Sequence, residues 1–165
     1  MSVKIKELVE NETDVTVEEL AERLNLEIIN KGSGIVHMAT FNVSRPGLQF
    51  AGYYEHFSQE RVQIVGEMET SYLLNMKPEE RKKACDKFCQ YDFPCLVITT
   101  VLEPIKELVE GAVKYNRVLL RSKLRTTAFV NELSIYLAGA HHHDTRRFGG
   151  PVRRGRAACG TFQRR

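Results

Sequence analysis

Nowhere in this 165-residue chain does an apolar run approach the ~18 residues that a membrane span requires. The opening residues Met1-Ser2-Val3-Lys4-Ile5-Lys6 intersperse charge instead of building an apolar leader. The expectation is therefore a cytoplasmic protein. Cysteine is sparse as well. Cys85, Cys89, Cys95 and Cys159 form no Cys-x-x-Cys pair and no evenly paired framework, and with 42% apolar residues the chain can fold without covalent staples. Reduced thiols are predicted, with Cys85 and Cys89 packing as small apolar groups rather than clamping a metal. Neither a Gly-x-Ser-x-Gly elbow nor a His-Glu-x-x-His pair occurs. His37 and His56 are isolated, and three consecutive histidines, His141 to His143, fix no coordination geometry. Gly150 to Ala157 mimics the spacing of a phosphate loop but puts Arg156 where the lysine belongs and Ala157 where a magnesium-binding hydroxyl belongs. No catalytic, cofactor-binding or metal-binding residue is expected.

Charge divides the chain in two. Residues 1–140 hold 17 Lys/Arg against 20 Asp/Glu, whereas residues 141–165 hold seven Arg against Asp144 alone. The second part also has no Lys, Leu or Ile, so it offers no apolar periodicity to fold on. The boundary is placed near Gly139, with a folded body before it and a disordered basic tail, 139–165, after it. An Arg-rich tail is a candidate for nucleic acid, but with only Phe148 and Phe162 to stack on bases that class is disfavoured.

The body is strongly patterned. Thr16-Val17-Glu18-Glu19 reads as a capping box, and Val17, Leu20, Ala21 and Leu24 form the stripe of a helix ending near Asn25. Segments 26–30 and 35–43 read as strands joined through Lys31-Gly32-Ser33-Gly34, hence a hairpin. Ser44-Arg45-Pro46-Gly47 then forms a shaped loop, since proline lacks a donor and glycine permits a left-handed turn. From Arg61 strands and helices alternate: strand 62–65, helical 67–90 with a break near Met76-Lys77-Pro78, strand 95–99, a helix opened by Pro104, strand 118–121, and a last helix marked by Val130, Leu133 and Leu137. Alternation of this kind implies parallel crossovers. The predicted fold is a three-layer α/β sandwich with a mixed sheet, parallel in its second half. The hexapeptide Ile-Lys-Glu-Leu-Val-Glu occurs at 5–10 and 105–110 without similar flanks, so no internal duplication follows.

Four segments carry a family resemblance. Ser44 to Tyr54, SRPGLQFAGYY, resembles the "SRPGLELAGYF" stretch in the N-terminal domain of HPr kinase/phosphorylase. Arg61 to Gly66 with Ser71-Tyr72-Leu73 is similar to its "RIQVLG…SYL", and Tyr91 to Thr99 with Leu102-Glu103-Pro104 to its "YDIPCIIVT…LEP". Leu119 to Leu124 with Tyr136-Leu137 resembles "LLRTKL…YL", so the likeness covers about residues 16–138 in order. It implies the N-terminal, non-catalytic domain (regulatory or for assembly) of a bacterial enzyme in carbon catabolite control. That enzyme phosphorylates and dephosphorylates a serine of HPr, the phosphocarrier of sugar uptake. ATP, magnesium, HPr and self-association are implied for the whole enzyme, whose phosphate loop lies in a second domain, and no cofactor is implied for this chain. The expectation is a chain that is inactive because it is truncated before that domain. The tail fits the same reading. Codons can be chosen for His141 to Gly160 such that reading one base later gives TTTTRGGLVDLYGVGVLLVG, which resembles the family's "YGVGVL" entrance to the kinase domain, so a shifted frame accounts for the composition break.

A looser resemblance to the N-terminal domains of Mur ligases such as MurF, which bind a UDP-linked precursor, keeps a small-anion or nucleotide-binding module as the alternative. Its candidate contacts are Ser44, Arg45 and Gly47 at the start of the helical-looking run Leu48–Gly52, with Arg121 and Lys123 after the strand 118–121. In open α/β sheets ligands favour the carboxyl ends of parallel strands. Proline-glycine turn chemistry with Arg45 paired locally is the competing explanation of the same residues.

Overall fold

A computed structural model describes residues 13–38 and 42–144. Among the described residues, five helices and five strands form where the sequence pattern places them. Thr16 caps helix α1 (Val17–Leu24) by accepting the Glu19 amide at 3.2 Å, and Asn25, left-handed at φ 50°, ends it. Strand β5 (Val62–Val65) leads to α3 (Glu67–Asn75) and, after the predicted break, to α4 (Pro78–Cys89), with Pro78 in the first turn where its missing N–H costs nothing. Then follow β6 (Leu96–Ile98), α5 (Lys106–Lys114), β7 (Leu119–Ser122) and α6 (Thr126–Asp144).

The main sheet has five strands in the order β2 (Leu26–Asn30), β7, β6, β5, β4 (Val43–Ser44). Strands β4 to β7 run parallel and β2 pairs antiparallel on the β7 edge, so the predicted mixed sheet is present. The central strands are buried on both faces, which is why they read as largely apolar runs, broken by the buried Gln63 in β5. Val62, Ile64, Cys95, Val97, Val118 and Leu120 face α1 and α6, meeting Leu20, Leu24, Phe129, Leu133 and Leu137. Val65, Leu96, Ile98 and Leu119 face the other way, against Phe50 of the one-turn helix α2 (Gly47–Phe50), Leu73 of α3, Phe88 of α4, and Leu108 and Ala112 of α5.

The hairpin predicted from 26–30 and 35–43 does not form. Strand β2 pairs with β7, whereas β3 (Ile35–Met38) pairs with β1 (Thr13–Thr16) in a separate two-stranded sheet whose Val15, Val36 and Met38 join the α1/α6 core. The connection between β2 and β3 is fixed by tertiary contacts instead. Gly32, at φ +53°, lies so close to the 116–118 backbone that a Cβ there would meet Arg117 C at 2.8 Å, and Gly34 O accepts the Val17 amide at 3.0 Å. Asn30 secures the same junction, its Nδ2 donating to the carbonyls of Ala112 and Arg117. Residues 39–41, inside the predicted second strand, lie outside the described residues.

At the other end of the body, α6 passes the boundary placed near Gly139. His141 to Asp144, assigned to the unfolded tail from composition, continue the helix, because an established helix propagates by backbone hydrogen bonds without needing further apolar spacing. Cys159, the loop-like segment 150–157 and the remaining tail lie outside the described residues.

Candidate functional site

All four parallel strands end on the same side of the sheet, and the residues that follow them gather around one cleft of ≈ 280 Å³. Arg45 follows β4, Gly66 follows β5, Thr99 and Thr100 follow β6, and Arg125 and Thr126 follow β7. The walls are Arg45, Glu67, Met68, Thr100, Arg125, Thr126 and Thr127.

The floor is a polar junction around Gly66. Its amide donates to Glu69 Oε2 at 2.9 Å, and Arg45 Nη2 donates to the same oxygen at 2.8 Å. Glu69 is only 4% exposed, so its carboxylate is committed to closing the start of α3 and holding Arg45. Across the floor the hydroxyls of Thr99 and Thr126 share a hydrogen bond of 2.7 Å. A Cβ on residue 66 would stand 2.8 Å from Thr126 Oγ1 and 3.3 Å from Arg45 Nη2, so the packing requires glycine.

The β6 side of the cleft is strained. Thr100 and Val101, both β-branched, have φ of 68° and 55°. Left-handed β-branched residues cost of order 1–3 kcal/mol each and persist only where the surroundings hold them. Here the Thr100 amide donates to Leu124 O at 2.7 Å, and the Val101 carbonyl accepts from Arg121 Nη2 at 2.9 Å.

Of the five residues singled out from sequence, the cleft wall takes Arg45. Ser44 closes β4, and Gly47 opens α2, a single turn whose N-cap is Pro46, so no extended run of helical amides stands behind it. Arg121 is committed elsewhere: it donates to Glu103 Oε1 at 2.9 Å and Val101 O, and pairs with Glu27 Oε2 at 3.4 Å, tying the strained turn to the edge strand β2. Lys123 is exposed and off the wall. The basic residue that reaches the cleft from the turn after β7 is Arg125. Strand β7 runs one residue further than the sequence reading placed it, to Ser122, whose Oγ then accepts the Leu124 amide at 3.1 Å and shapes the turn that presents Arg125. Glu69, Gly66 and Thr126 were also missed. In sequence they read as an ordinary first-turn glutamate, a strand-end glycine and a surface threonine.

A second cavity, also ≈ 280 Å³, lies at the opposite ends of the strands, and its charged groups are already paired. Arg117 donates to Asp92 Oδ1 and to the carbonyls of Cys89 and Gln90, and His37 Nδ1 is 2.6 Å from Asp14 Oδ1. The thiols of Cys85, Cys89 and Cys95 are free and buried, and burial pushes each up to about 12, so at neutral pH they are not nucleophiles.

Comparison with known proteins adds three findings. The family profile described as HPr Serine kinase N terminus matches residues 15–137. Among curated proteins the chain is 43% identical over 135 residues to the HPr kinase/phosphorylase of Clostridium acetobutylicum, covering 82% of this chain and 44% of that protein. It is 46% identical over 124 residues to the one from Caldanaerobacter subterraneus subsp. tengcongensis, covering 74% and 41%. The chain thus spans less than half the length of these relatives. Among solved structures, the CBS and DRTGG domains of the regulatory region of Clostridium perfringens pyrophosphatase, complexed with the activator diadenosine tetraphosphate, share the fold. The TM-score is 0.52 at 16% identity, over 72% of this chain and 46% of that one.

Proposed function

The chain belongs to the family of HPr serine kinase N-terminal domains, and on that premise we propose that it is the non-catalytic regulatory or assembly domain of an HPr kinase/phosphorylase. The observation that carries this reading is an unbroken family match over residues 15–137 together with relatives of that name at 43–46% identity. The parent enzyme would phosphorylate and dephosphorylate a serine of HPr in the cytoplasm, as part of carbon source control. ATP and magnesium would be held by its other half, and this domain would contribute assembly of the enzyme or a regulatory contact.

The architecture supports a supporting role. Among the described residues the thiols are buried and protonated, and the most buried carboxylate, Glu69, serves a structural junction. Among the described residues no helix is long and apolar enough to cross a membrane.

A domain exchange tests the proposal. Residues 15–137 are placed in the Clostridium acetobutylicum relative in exchange for its own matching segment. The chimera is expected to phosphorylate HPr and to assemble as its parent does, while the present chain alone transfers no phosphate from ATP to HPr. HPr phosphorylation by the isolated chain would overturn the non-catalytic reading. A folded chimera that neither assembles nor acts would overturn the assignment to this enzyme.

A further inference from the structure

We propose that the cleft at the carboxyl ends of the parallel strands binds a small phosphate-class oxyanion between the guanidinium groups of Arg45 and Arg125, with the hydroxyls of Thr126 and Thr127 as further donors. This goes beyond the domain assignment and does not depend on it.

The cleft is lined by two arginines from segments that are distant in sequence, Arg45 of the loop after β4 and Arg125 of the turn after β7. Their charges are not both neutralised in place. Arg45 gives one N–H to Glu69 and keeps others for the cavity, and Arg125 has no carboxylate partner among the described residues. The carboxylate of Glu69 is turned into the floor, where the Gly66 amide and Arg45 occupy it, which leaves Glu67 as the acidic group on the wall. A tetrahedral oxyanion suits this set, since guanidinium donors fit its oxygens bidentately and threonine hydroxyls can complete its shell.

The backbone points to the same place. Thr100, the first of the two consecutive left-handed β-branched residues, forms part of the cleft wall. Arg121, with Glu27 and Glu103, holds that turn from outside. Strain of this kind gathers where a binding surface must keep one shape.

The test is an NMR titration of the full chain with inorganic phosphate at constant ionic strength, using chloride as the reference. Saturable shifts are expected at the amides of Gly66, Thr100, Thr126 and Thr127. Because charge-assisted hydrogen bonds are the strong contacts in such a site, Arg125→Gln should weaken phosphate about tenfold. Lys123→Gln, a neighbouring exposed cation off the wall, should leave it unchanged. Failure of the shifts to saturate at high millimolar phosphate would overturn the site. Equal weakening in both variants would reduce it to diffuse surface attraction. Binding unchanged in an Arg125→Gln protein of normal thermal midpoint would remove Arg125 from it.

Discussion

Replacing Gly66 by alanine measures how tightly the floor of the cleft is closed. The backbone at residue 66 is extended, φ −110° and ψ −161°, and alanine accepts it, so the cost comes from contacts alone. The new methyl would stand 2.8 Å from Thr126 Oγ1, 3.3 Å from Arg45 Nη2 and 3.5 Å from Glu69 Oε2. Overpacking a closed site costs about 1–3 kcal/mol. Displacing Thr126 Oγ1 also forfeits its 2.7 Å bond to Thr99, worth about 1 kcal/mol. Loss of glycine's freedom in the unfolded chain returns about 0.4–1 kcal/mol, leaving Gly66→Ala destabilised by roughly 1–3 kcal/mol. For a body of this size that is a fall of roughly 4–12 °C in thermal midpoint. Thr126→Ala alone loses the hydroxyl bond, about 1 kcal/mol, but it also removes the obstructing atom. The double variant should therefore be about as stable as Thr126→Ala, a coupling of about 1–3 kcal/mol in a urea-denaturation cycle. Simple additivity of the two single changes would refute the packing of Thr126 over Gly66 and with it the closed floor.

Gly32→Ala should cost roughly 2–5 kcal/mol, combining the left-handed penalty with overpacking, because its neighbours at 2.8–2.9 Å are backbone atoms of 116–118 that cannot swing aside. Gly52→Ala, at φ +94° with open space around the new methyl, should cost only the conformational share, about 1–2 kcal/mol, and equal losses by calorimetry would contradict the contact at Gly32. The three buried thiols make a pH prediction. Their folded-state values of about 12 lie above the ordinary 9.0, so the folded protein holds these protons more tightly. Their contribution is fully present below 9.0 and is lost as pH rises from there toward about 12. Denaturation midpoints should fall across that window by less in a Cys95→Ala variant, and a thiol reagent should react slowly with Cys85, Cys89 and Cys95 of the folded protein at pH 8.

The alternating second half of the fold was legible because each signal was local: short, largely apolar strands at 62–65 and 95–99, periodic helices between them, and proline at the break before α4. Partner choice was not. Strands β2 and β3 are adjacent in sequence with a glycine-bearing link, which is a hairpin signature, yet each finds its partner elsewhere through register and burial that no local pattern encodes. Strand β1 was missed for a simpler reason, having Val15 as the single apolar residue among four. At the cleft, Arg45 stood out because Arg-Pro-Gly follows a strand end. Glu69 and Arg125 did not, since burial and the exact exit of β7 gave them their places.

The pairing of β2 with β7 also sets an order in time. Glu27 and Arg121, which face each other across that pairing, are 94 residues apart in the chain. At the ~5–20 residues per second of bacterial and eukaryotic synthesis, roughly 5–20 s separate the emergence of one strand from that of the other. During that interval Leu26, Ile28 and Ile29 have no sheet to join, although the residues of β1, α1 and β3 have all been synthesised by early in it. The antiparallel edge can therefore close only with β7, the last strand of the sheet to emerge, and a chain released before Ser122 would leave β2 available to another molecule.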